Sequence, residues 1–271
     1  MRGTSVRGMG RLQLIGGGRM GEALASGLVQ AGIVAASDLH VVEPSATRRE
    51  ELAQRLPGAS LGTEPAAADG TIIAVKPHDV PAACQAAAGP GSGRVLSVAA
   101  GVTIAVLEAN LPPGTAVVRA MPNTPALVGQ GASAIAGGTA ATDDDLAWAE
   151  SLLGAVGTVV RVAEPLLDAV TGLSGSGPAY VFLVAEALID AGVLAGLPRD
   201  VSTALAQQTL LGAATLLAES DEGAEALRAA VTSPGGTTAA GLRVLEQRGV
   251  RAALLDAVMA ATERARELGQ R

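Results

Sequence analysis

A glycine-rich turn between a short apolar run and a helical pattern constrains the fold more than any other feature of this sequence. Residues 11–15 (RLQLI) predict a buried strand, 16–21 (GGGRMG) follow it, and 22–30 have helical apolar spacing. The middle segment fits G-x-G-x-x-G, whose glycines permit a tight turn, a close backbone approach to a pyrophosphate and close helix–strand packing. A second strand is predicted at 39–43, so the chain is expected to open with a dinucleotide-binding βαβ unit.

The residues that end the second strand bear on which dinucleotide is bound. Glu43 could accept a hydrogen bond from an adenosine ribose 2′-hydroxyl and would repel a 2′-phosphate, which favours NADH. Ser45, Arg48 and Arg49 follow it, and hydroxyl and guanidinium groups could meet a 2′-phosphate if Glu43 turned aside. The alternative is that these arginines are the solvated first turn of the next helix. The sequence leaves the choice between NADH and NADPH open.

Short β-rich runs alternate with helical runs from residue 12 to 162, which indicates an α/β fold. Continuous apolar strands between helices are typical of a parallel sheet that is covered on both faces. We therefore predict a Rossmann-like, doubly wound parallel sheet in an N-terminal domain over residues 11–164. Beyond the first two strands, the clearest strand segments are 70–75, 94–97, 116–119 and 158–161.

Helical periodicity replaces the β-branched clusters after Glu164, and we predict an all-helical C-terminal domain over residues 165–271. Pro178 and Pro198 lie where helices could start. Segments 178–194 and 205–217 are apolar on more than one face, which is more than one small bundle can bury. The sequence therefore predicts a homodimer formed through the second domain, with the loop 231–241 near that interface.

Composition narrows the range of partners and the location. The net charge of −7 and the single Trp, Tyr and Phe argue against nucleic acid, which requires a basic face and stacking platforms. The apolar run 179–185 is followed by Glu186 and Asp190, and the N-terminus lacks an apolar signal core, so we expect no membrane partner and a cytoplasmic protein. Cys84 is alone and is expected to be a small core residue.

Two loops follow predicted strands of the first domain. Residues 74–77 (AVKP) carry Lys76, the only lysine of the chain, which either contacts the cofactor or lies in solvent. We favour the cofactor, because ligands of open α/β sheets bind outside the carboxyl ends of the strands. Residues 119–125 (RAMPNTP) place Asn123 and Thr124 between two prolines that fix the backbone, which predicts a rigid wall of the site.

A third loop, 231–241 (VTSPGGTTAAG), leads directly into an apolar-periodic helix. Its Pro and Gly residues cannot propagate a helix, so the backbone N–H groups near Thr237 and Thr238 are expected at a helix N-terminus, where a small carboxylate would bind. The alternative is an ordinary cap, in which Ser233 or Thr237 satisfies its own helix.

The remaining polar residues favour structural roles. Thr142 and the three aspartates after it are expected to cap the next helix rather than bind metal, since carboxylates at a helix start suit its dipole. His40 and His78 are not obviously paired with a carboxylate, and we expect both to be structural. The sequence therefore predicts no metal site.

Five segments, 16–21, 74–77, 119–131, 171–178 and 231–238, occur in an order that resembles pyrroline-5-carboxylate reductase. The resemblance covers nearly the whole chain, and SPGGTT and MPNTP are its most specific motifs. It implies the last step of proline biosynthesis, the NADPH- or NADH-dependent reduction of the cyclic imine 1-pyrroline-5-carboxylate to proline. It also implies a homo-oligomer, a dimer with higher assemblies of dimers up to a decamer.

The resemblance assigns site residues by motif, and it singles out Thr238 for chemistry, with its hydroxyl facing the ring nitrogen of the substrate. The substrate carboxylate site falls on Ser233, Gly236, Thr237 and Thr238. Cofactor contacts, besides Glu43 and Ser45, fall on Ile15, Gly16, Gly17, Gly18, Arg19, Met20, Gly21, Ala74, Val75, Lys76, Pro77, Val98, Ala99 and Ala100.

Two departures from the family pattern and two alternatives bear on these expectations. Many members carry Ser, Asn or Arg where Glu43 stands, and the ten residues ahead of Arg11 have no counterpart, so we expect a disordered extension there. A hydroxyacid dehydrogenase of similar layout would place a lysine on an interdomain helix, whereas Lys76 lies in a loop. A dinucleotide-binding regulatory module would not need the second, carboxylate-binding loop. Reduction of a six-membered cyclic imine stays open.

Overall fold

The computed structural model describes residues 10–269. The expected disordered extension ahead of Arg11 lies, apart from Gly10, outside the described residues and stays a prediction. The described strands are β1 Leu12–Ile15, β2 Leu39–Val42, β3 Ser60–Gly62, β4 Gly70–Ile73, β5 Arg94–Ser97, β6 Val117–Met121, β7 Gly131–Gly137 and β8 Gly157–Arg161.

The helices of the first two-thirds of the chain alternate with these strands, and the rest of the chain is helical. Short 3₁₀ turns occur at Ala36–Asp38, Pro77–Asp79, Thr124–Val128 and Glu164–Leu166, and a π-helix at Thr171–Gly175. The α-helices are α1 Arg19–Gln30, α2 Ala46–Arg55, α3 Val80–Ala88, α4 Ile104–Ala109, α5 Asp143–Gly154, α6 Leu167–Val170, α7 Gly177–Leu194, α8 Arg199–Glu219, α9 Ala224–Ala230, α10 Thr237–Gln247 and α11 Val250–Gly269.

The eight strands form one sheet in the order β3-β2-β1-β4-β5-β6-β7-β8. The first six of these are parallel, with Leu12 opposite both Leu39 and Gly70. The order of those six is that of a doubly wound dinucleotide-binding sheet, in which the chain reverses direction of travel beside β1. The predicted fold class is therefore confirmed.

Two strands at one edge run against the others, which the prediction of a parallel sheet did not include. β7 is antiparallel to β6, and β8 is parallel to β7. Between Met121 and Gly131 the chain makes only a 3₁₀ turn, which is too short for the crossover that a parallel neighbour requires. β7 also escaped the sequence reading, because its GASAIAG sequence has little of the β-branched character by which strands are recognised.

Apolar residues seal the sheet on both faces. Adjacent residues of each central strand point to opposite sides, so that Leu14 and Ile72 pack in one cluster with α1, α2 and α5, while Ile73 and Val95 pack in another with α3 and α4. Cys84 on α3 is fully buried in the second cluster, as expected. The carboxyl ends of the parallel strands are thereby held in fixed register.

The chain divides into two compact units, and their boundary lies later than residue 164. One unit contains the described residues up to Ser176 and those from Ala260 onward, and the other is Gly177–Met259. Leu167 explains the difference, because it is fully buried with Ala134 and Ala136 against β7. The division at 164/165 stays a prediction of where the functional domains meet, and it does not coincide with the boundary between the compact units.

The second unit consists of helices, as predicted, and two of them begin at the predicted prolines. Pro178 lies in the first turn of α7, and Pro198 directly precedes α8. By length and composition, the helical run Glu164–Leu194 and α8 could each cross a membrane. Glu186 and Asp190 therefore do not exclude a span, contrary to the argument from the sequence.

Candidate dinucleotide and substrate sites

The segments predicted to bind the cofactor meet at one edge of the sheet, at the carboxyl ends of β1, β2, β4 and β5. Single backbone hydrogen bonds extend the ladders past the strand ends: Gly16 N donates to Val42 O (2.9 Å), Ala74 N to Ile15 O (2.8 Å) and Val98 N to Ile73 O (3.0 Å). The glycine loop, residues 74–77 and residues 98–100 are thus neighbours at the edge where dinucleotides bind in this fold.

The glycine loop has the geometry that the motif requires. Gly16 has φ +107°, and a Cβ there would lie 2.6 Å from the Ala74 carbonyl oxygen. A Cβ at Gly21 would overlap the Gly16 carbonyl oxygen, so α1 packs closely on the strand. Around Gly18, by contrast, a Cβ would meet no atom of the described residues within 4 Å.

Gly18 lies open and directly precedes α1, so the space next to it suits a pyrophosphate. It is the N-cap residue of α1, and it offers no side chain to the free N–H groups of the first turn. A helix N-terminus with exposed backbone donors attracts phosphate groups. The loop therefore fits a bound dinucleotide, and this fit comes from the chain's own geometry.

The neighbouring candidate residues differ in exposure. Arg19, Lys76, Pro77 and Ala100 are exposed, whereas Val98 and Ala99 are buried. The remaining candidates are buried or half-buried: Ile15, Gly16, Gly17, Met20, Gly21, Ala74 and Val75.

Glu43 faces the glycine loop. Its Oε2 accepts a hydrogen bond from Gly17 N (3.0 Å) and its Oε1 accepts one from Ser45 N (2.9 Å). Ser45 is the N-cap residue of α2, and its hydroxyl accepts a hydrogen bond from Arg48 N (3.4 Å). The carboxylate therefore lies where an adenosine ribose is expected, beside the phosphate-binding loop.

The two arginines after Glu43 are half-buried and bonded, so their interpretation as a solvated first turn is wrong. Arg49 Nη1 donates to the carbonyl oxygens of Glu43 (2.7 Å) and Pro44 (2.9 Å). Arg48 Nε donates to Gly17 O (2.7 Å), and Arg48 also forms ion pairs with Glu22 and Glu51. Sequence reasoning missed Glu22, which lies on α1, because nothing local in the sequence links it to α2.

The loop 119–125 is held by its own polar side chains. Asn123 is buried; its Nδ2 donates to Ser174 O (3.0 Å) and its Oδ1 accepts from Ala132 N (2.8 Å). Arg119 is also buried and pairs with Glu164 (2.9 Å). The loop is anchored as expected, while its role as a wall of the site stays a prediction.

The loop 231–241, for which a carboxylate site is predicted, lies in the second unit and ends at a helix N-terminus. Ser233 to Gly236 form a turn closed by a hydrogen bond from Gly236 N to Ser233 O (3.0 Å), with Gly235 at φ +72° after Pro234. This is the pattern of a type II turn, whose third residue must adopt positive φ.

The helix after this turn, α10, begins at Thr237, as the sequence predicted. Its N-cap residue is Gly236, which has no side chain, so the alternative that Ser233 or Thr237 caps the helix is wrong. The first backbone N–H groups of α10 are therefore not satisfied by an N-cap side chain, and Thr237 and Thr238 are exposed beside them.

The other polar residues that the sequence analysis considered make local contacts. Thr142 forms a capping box with Asp145 at the start of α5, as predicted. His40 bonds Ser60 Oγ (3.0 Å) and Glu64 O (2.9 Å), whereas exposed His78 does lie 3.4 Å from the Asp79 carboxylate. Within the described residues, no group of three or more His, Cys, Asp or Glu side chains could hold a metal ion.

Two family models match the chain. Residues 164–268 match the dimerisation region of pyrroline-5-carboxylate reductase, and residues 11–101 match a coenzyme F420-dependent NADP oxidoreductase model. The two matches fall on the helical region and on the sheet region that carries the glycine loop, so they agree with the order of the two sites along the chain.

Similar proteins extend over almost the whole chain. A pyrroline-5-carboxylate reductase of Synechocystis is 45% identical over an alignment of 266 positions, which covers 96% of this chain and 99% of the relative. The structure of such a reductase from Coxiella burnetii has a TM-score of 0.90 at 34% identity and covers 96% and 99% of the two chains.

A second solved structure, from Plasmodium falciparum, has NADP bound. It has a TM-score of 0.79 at 32% identity, and the match covers 96% of this chain and 98% of that one. The sequence identity to these relatives exceeds 30% over nearly their full length, so the match includes the sheet region and the helical region, with the candidate site in each. The chain belongs to the pyrroline-5-carboxylate reductase family.

Proposed function

We propose that this protein reduces 1-pyrroline-5-carboxylate to L-proline with NADPH or NADH, the last step of proline biosynthesis. The observation that carries the proposal is the presence in one chain of two complementary sites. One is an open glycine loop that fits a pyrophosphate, and the other is an exposed helix N-terminus that fits a small carboxylate. Relatives of this name match both regions.

The reaction needs little acid–base machinery. When bound, the dihydronicotinamide would supply a hydride to the ring carbon of the C=N bond; the π-electron pair would pass to nitrogen, and one proton from solvent would complete the amine. A protonated cyclic imine is already electrophilic, so the protein's task is to hold the ring in place.

The loop 233–238 supplies the groups that hold the ring. We place the substrate carboxylate at the N-terminus of α10, where Ser233, Gly236, Thr237 and Thr238 offer hydroxyl and backbone N–H donors to a negative charge. The Thr238 hydroxyl hydrogen-bonds the ring nitrogen and orients the C=N bond. A substrate with the carboxylate removed should therefore bind much more weakly.

Cofactor choice follows from Glu43. Its carboxylate beside Gly17 suits a free ribose 2′-hydroxyl and repels a 2′-phosphate, so we propose that NADH serves at least as well as NADPH. Steady-state kinetics with both cofactors test this. A preference for NADPH of more than about a hundredfold in kcat/KM, roughly 2.7 kcal/mol, would contradict the contact.

Oligomerisation completes the proposal. The match of residues 164–268 to a dimerisation region and the exposed apolar faces of α7 and α8 support a homodimer through the second domain, with the substrate loop near that interface. We extend it to assemblies of dimers up to a decamer, in the cytoplasm, with neither nucleic acid nor membrane as partner.

Genetic complementation tests the function in a cell. A bacterial strain that lacks its own reductase and requires proline should grow without proline when it carries this gene. The Thr238→Ala gene, expressed to the same level, should restore growth poorly. Failure of the wild-type gene to restore growth, with soluble protein present, would contradict the proposed activity.

A further inference from the structure

Both backbone polar groups of Gly17, in the glycine loop, are held by charged side chains from the β2–α2 region. Its N–H donates to Glu43 Oε2 (3.0 Å), and its carbonyl oxygen accepts from Arg48 Nε (2.7 Å). Gly17 is buried. The orientation of the loop that receives the pyrophosphate is therefore coupled to the residues expected around the adenosine ribose.

All three nitrogens of the Arg48 guanidinium donate to groups within the protein. Its Nε binds Gly17 O, its Nη1 donates to Glu51 (2.6 Å), and its Nη2 donates to Glu22. The Arg48 side chain is only 21% exposed. These three bonds fix the orientation of the guanidinium, so turning it toward a 2′-phosphate would break contacts within the protein.

Glu22 is the more buried of the two carboxylates that bind this arginine. Its side chain is 13% exposed and binds Arg48 through one carboxylate oxygen and Arg55 through the other. Burial acts to raise the pKa of Glu22, but hydrogen bonds and charges from Arg48 and Arg55 outweigh it and place the pKa below the ordinary value of 4.5. Glu22 is therefore charged at neutral pH and attracts Arg48 toward α1.

We propose that Glu22 is a specificity-determining residue for the cofactor: by holding Arg48 on the Gly17 carbonyl and on α1, it withholds the guanidinium from a 2′-phosphate and favours a dinucleotide with a free 2′-hydroxyl. This inference rests on the proposed use of NAD(P)H. Glu22 would then be a second determinant of cofactor choice, in addition to the repulsion of a 2′-phosphate by Glu43. It lies on α1, outside the β2–α2 segment in which the sequence analysis looked for such determinants.

Glu22→Gln tests the proposal, because it keeps the size of the side chain and removes the charge that holds Arg48. The dissociation constants of NADH and NADPH are measured by calorimetry on the full-length protein without substrate. The ratio Kd(NADPH)/Kd(NADH) should fall by about three- to tenfold, the range expected when one partly buried charged contact is redirected.

Two further variants separate this mechanism from a general loss of negative charge. Glu50→Gln removes an equally charged but exposed carboxylate of α2 and should change the ratio by less than about twofold, as exposed charges are screened. In an Arg48→Gln background, Glu22→Gln should no longer shift the ratio, since coupled residues are not additive.

The inference would be overturned if Glu22→Gln and Glu50→Gln had the same ratio Kd(NADPH)/Kd(NADH). It would also be overturned if Glu22→Gln still shifted this ratio in the Arg48→Gln background. These outcomes differ from a failure of the proposed function. If the wild-type protein binds both dinucleotides but reduces no imine, the function is wrong while the cofactor ratios still decide the role of Glu22. If it binds neither dinucleotide, both proposals fail.

Discussion

The two compact units cover their apolar residues in opposite ways. In the first unit, central strand residues such as Leu14, Ile72 and Leu96 have no exposed surface, and helices close both faces of the sheet. In the second unit, Gly177–Met259, the one buried apolar side chain is Ala206, and on α7 Phe182 is 62% exposed. The first unit therefore buries its apolar core within a single chain, whereas the second unit leaves most of its apolar side chains exposed.

This difference shows where a second copy of the chain is needed. Soluble monomers rarely expose contiguous apolar patches as large as several adjacent helix faces, so such a surface indicates an interface. The same region matches a dimerisation model, whereas the sheet does not. The first unit is therefore expected to owe its stability to its own core, and the second to owe much of its stability to a partner.

A matched pair of leucine truncations should give the largest effect on stability. Leu152→Ala, at a position with no exposed surface in the first unit, should lower the free energy of unfolding by about 2–5 kcal/mol, because it removes packing and leaves a cavity. Leu255→Ala, 68% exposed in the single chain, should cost less than about 0.5 kcal/mol where no partner covers it.

Chemical denaturation at several protein concentrations checks the pair. If a partner covers the second unit, the cost of Leu255→Ala should grow when the protein is assembled, while the cost of Leu152→Ala should not depend on concentration. If both variants lowered the free energy of unfolding by the same amount at every protein concentration, the distinction between the units would be contradicted.

A charge on the exposed face of α7 should break the assembly. Phe182→Asp places an unpaired carboxylate in the expected interface and should raise the dimer dissociation constant by about a hundredfold or more, roughly 2.7 kcal/mol. Val128→Asp, at a 75% exposed apolar residue of the first unit, is the control. Light scattering should show a smaller particle for Phe182→Asp only, and a wild-type monomer at micromolar concentration would refute the interface.

Thr238→Ala should lower turnover by about ten- to a hundredfold, or 1.4–2.7 kcal/mol, because the proposed hydrogen bond to the ring nitrogen is lost. Cofactor affinity should barely change, since the glycine loop belongs to the other unit, and Thr238→Ser should retain most activity. Gly236→Val should raise KM by closing the backbone approach to the carboxylate.

The alternative role of Thr238 is stabilisation of α10 alone. Thr238→Ala would then lose about 1 kcal/mol of stability and leave the kinetic constants of the folded protein unchanged. Thermal unfolding and steady-state kinetics on the same preparations distinguish the two roles. Normal turnover in a destabilised variant would remove Thr238 from the reaction.

The smallest effect is expected at Cys84, which reports how well the first unit is sealed. Burial raises the pKa of this thiol to about 11, and the thiolate is the reactive form. At about pH 8 a thiol reagent should leave the native protein almost unlabelled and react fully after denaturation. Rapid labelling of the native protein would show that the core of the first unit opens readily.

Local sequence patterns predicted the parts of the fold that are themselves local. The turn at Gly16–Gly18, the strand Arg94–Ser97 and the capped start of α5 each follow from the chemistry of adjacent residues, and the structure confirms them. The start of α10 at Thr237 is a further example, because Pro and Gly exclude a helix before it. These predictions needed no knowledge of tertiary contacts. Helix α1 begins at Arg19, earlier than the helical pattern that was predicted from Glu22.

Features that depend on distant contacts were not predictable in this way. The direction of β7 depends on its pairing with β6, and its small residues give little strand signal. The contacts of Arg48 were not predictable either, because its partners Glu22 and Gly17 are remote in sequence and meet it only when α1 and α2 pack on the sheet. The identity of the helix cap, Gly236 rather than a hydroxyl residue, likewise needed the structure.

The most direct test of the proposed activity follows the hydride. The purified protein is mixed with 1-pyrroline-5-carboxylate and NADH that carries deuterium at the transferable position of the nicotinamide, and proline is analysed by mass spectrometry and NMR. The proposal predicts proline with one deuterium on the ring carbon that is bonded to nitrogen and lacks the carboxylate, formed in step with NADH oxidation. The proposal would be contradicted if neither NADH nor NADPH were oxidised in the presence of the imine, or if the proline formed carried no deuterium.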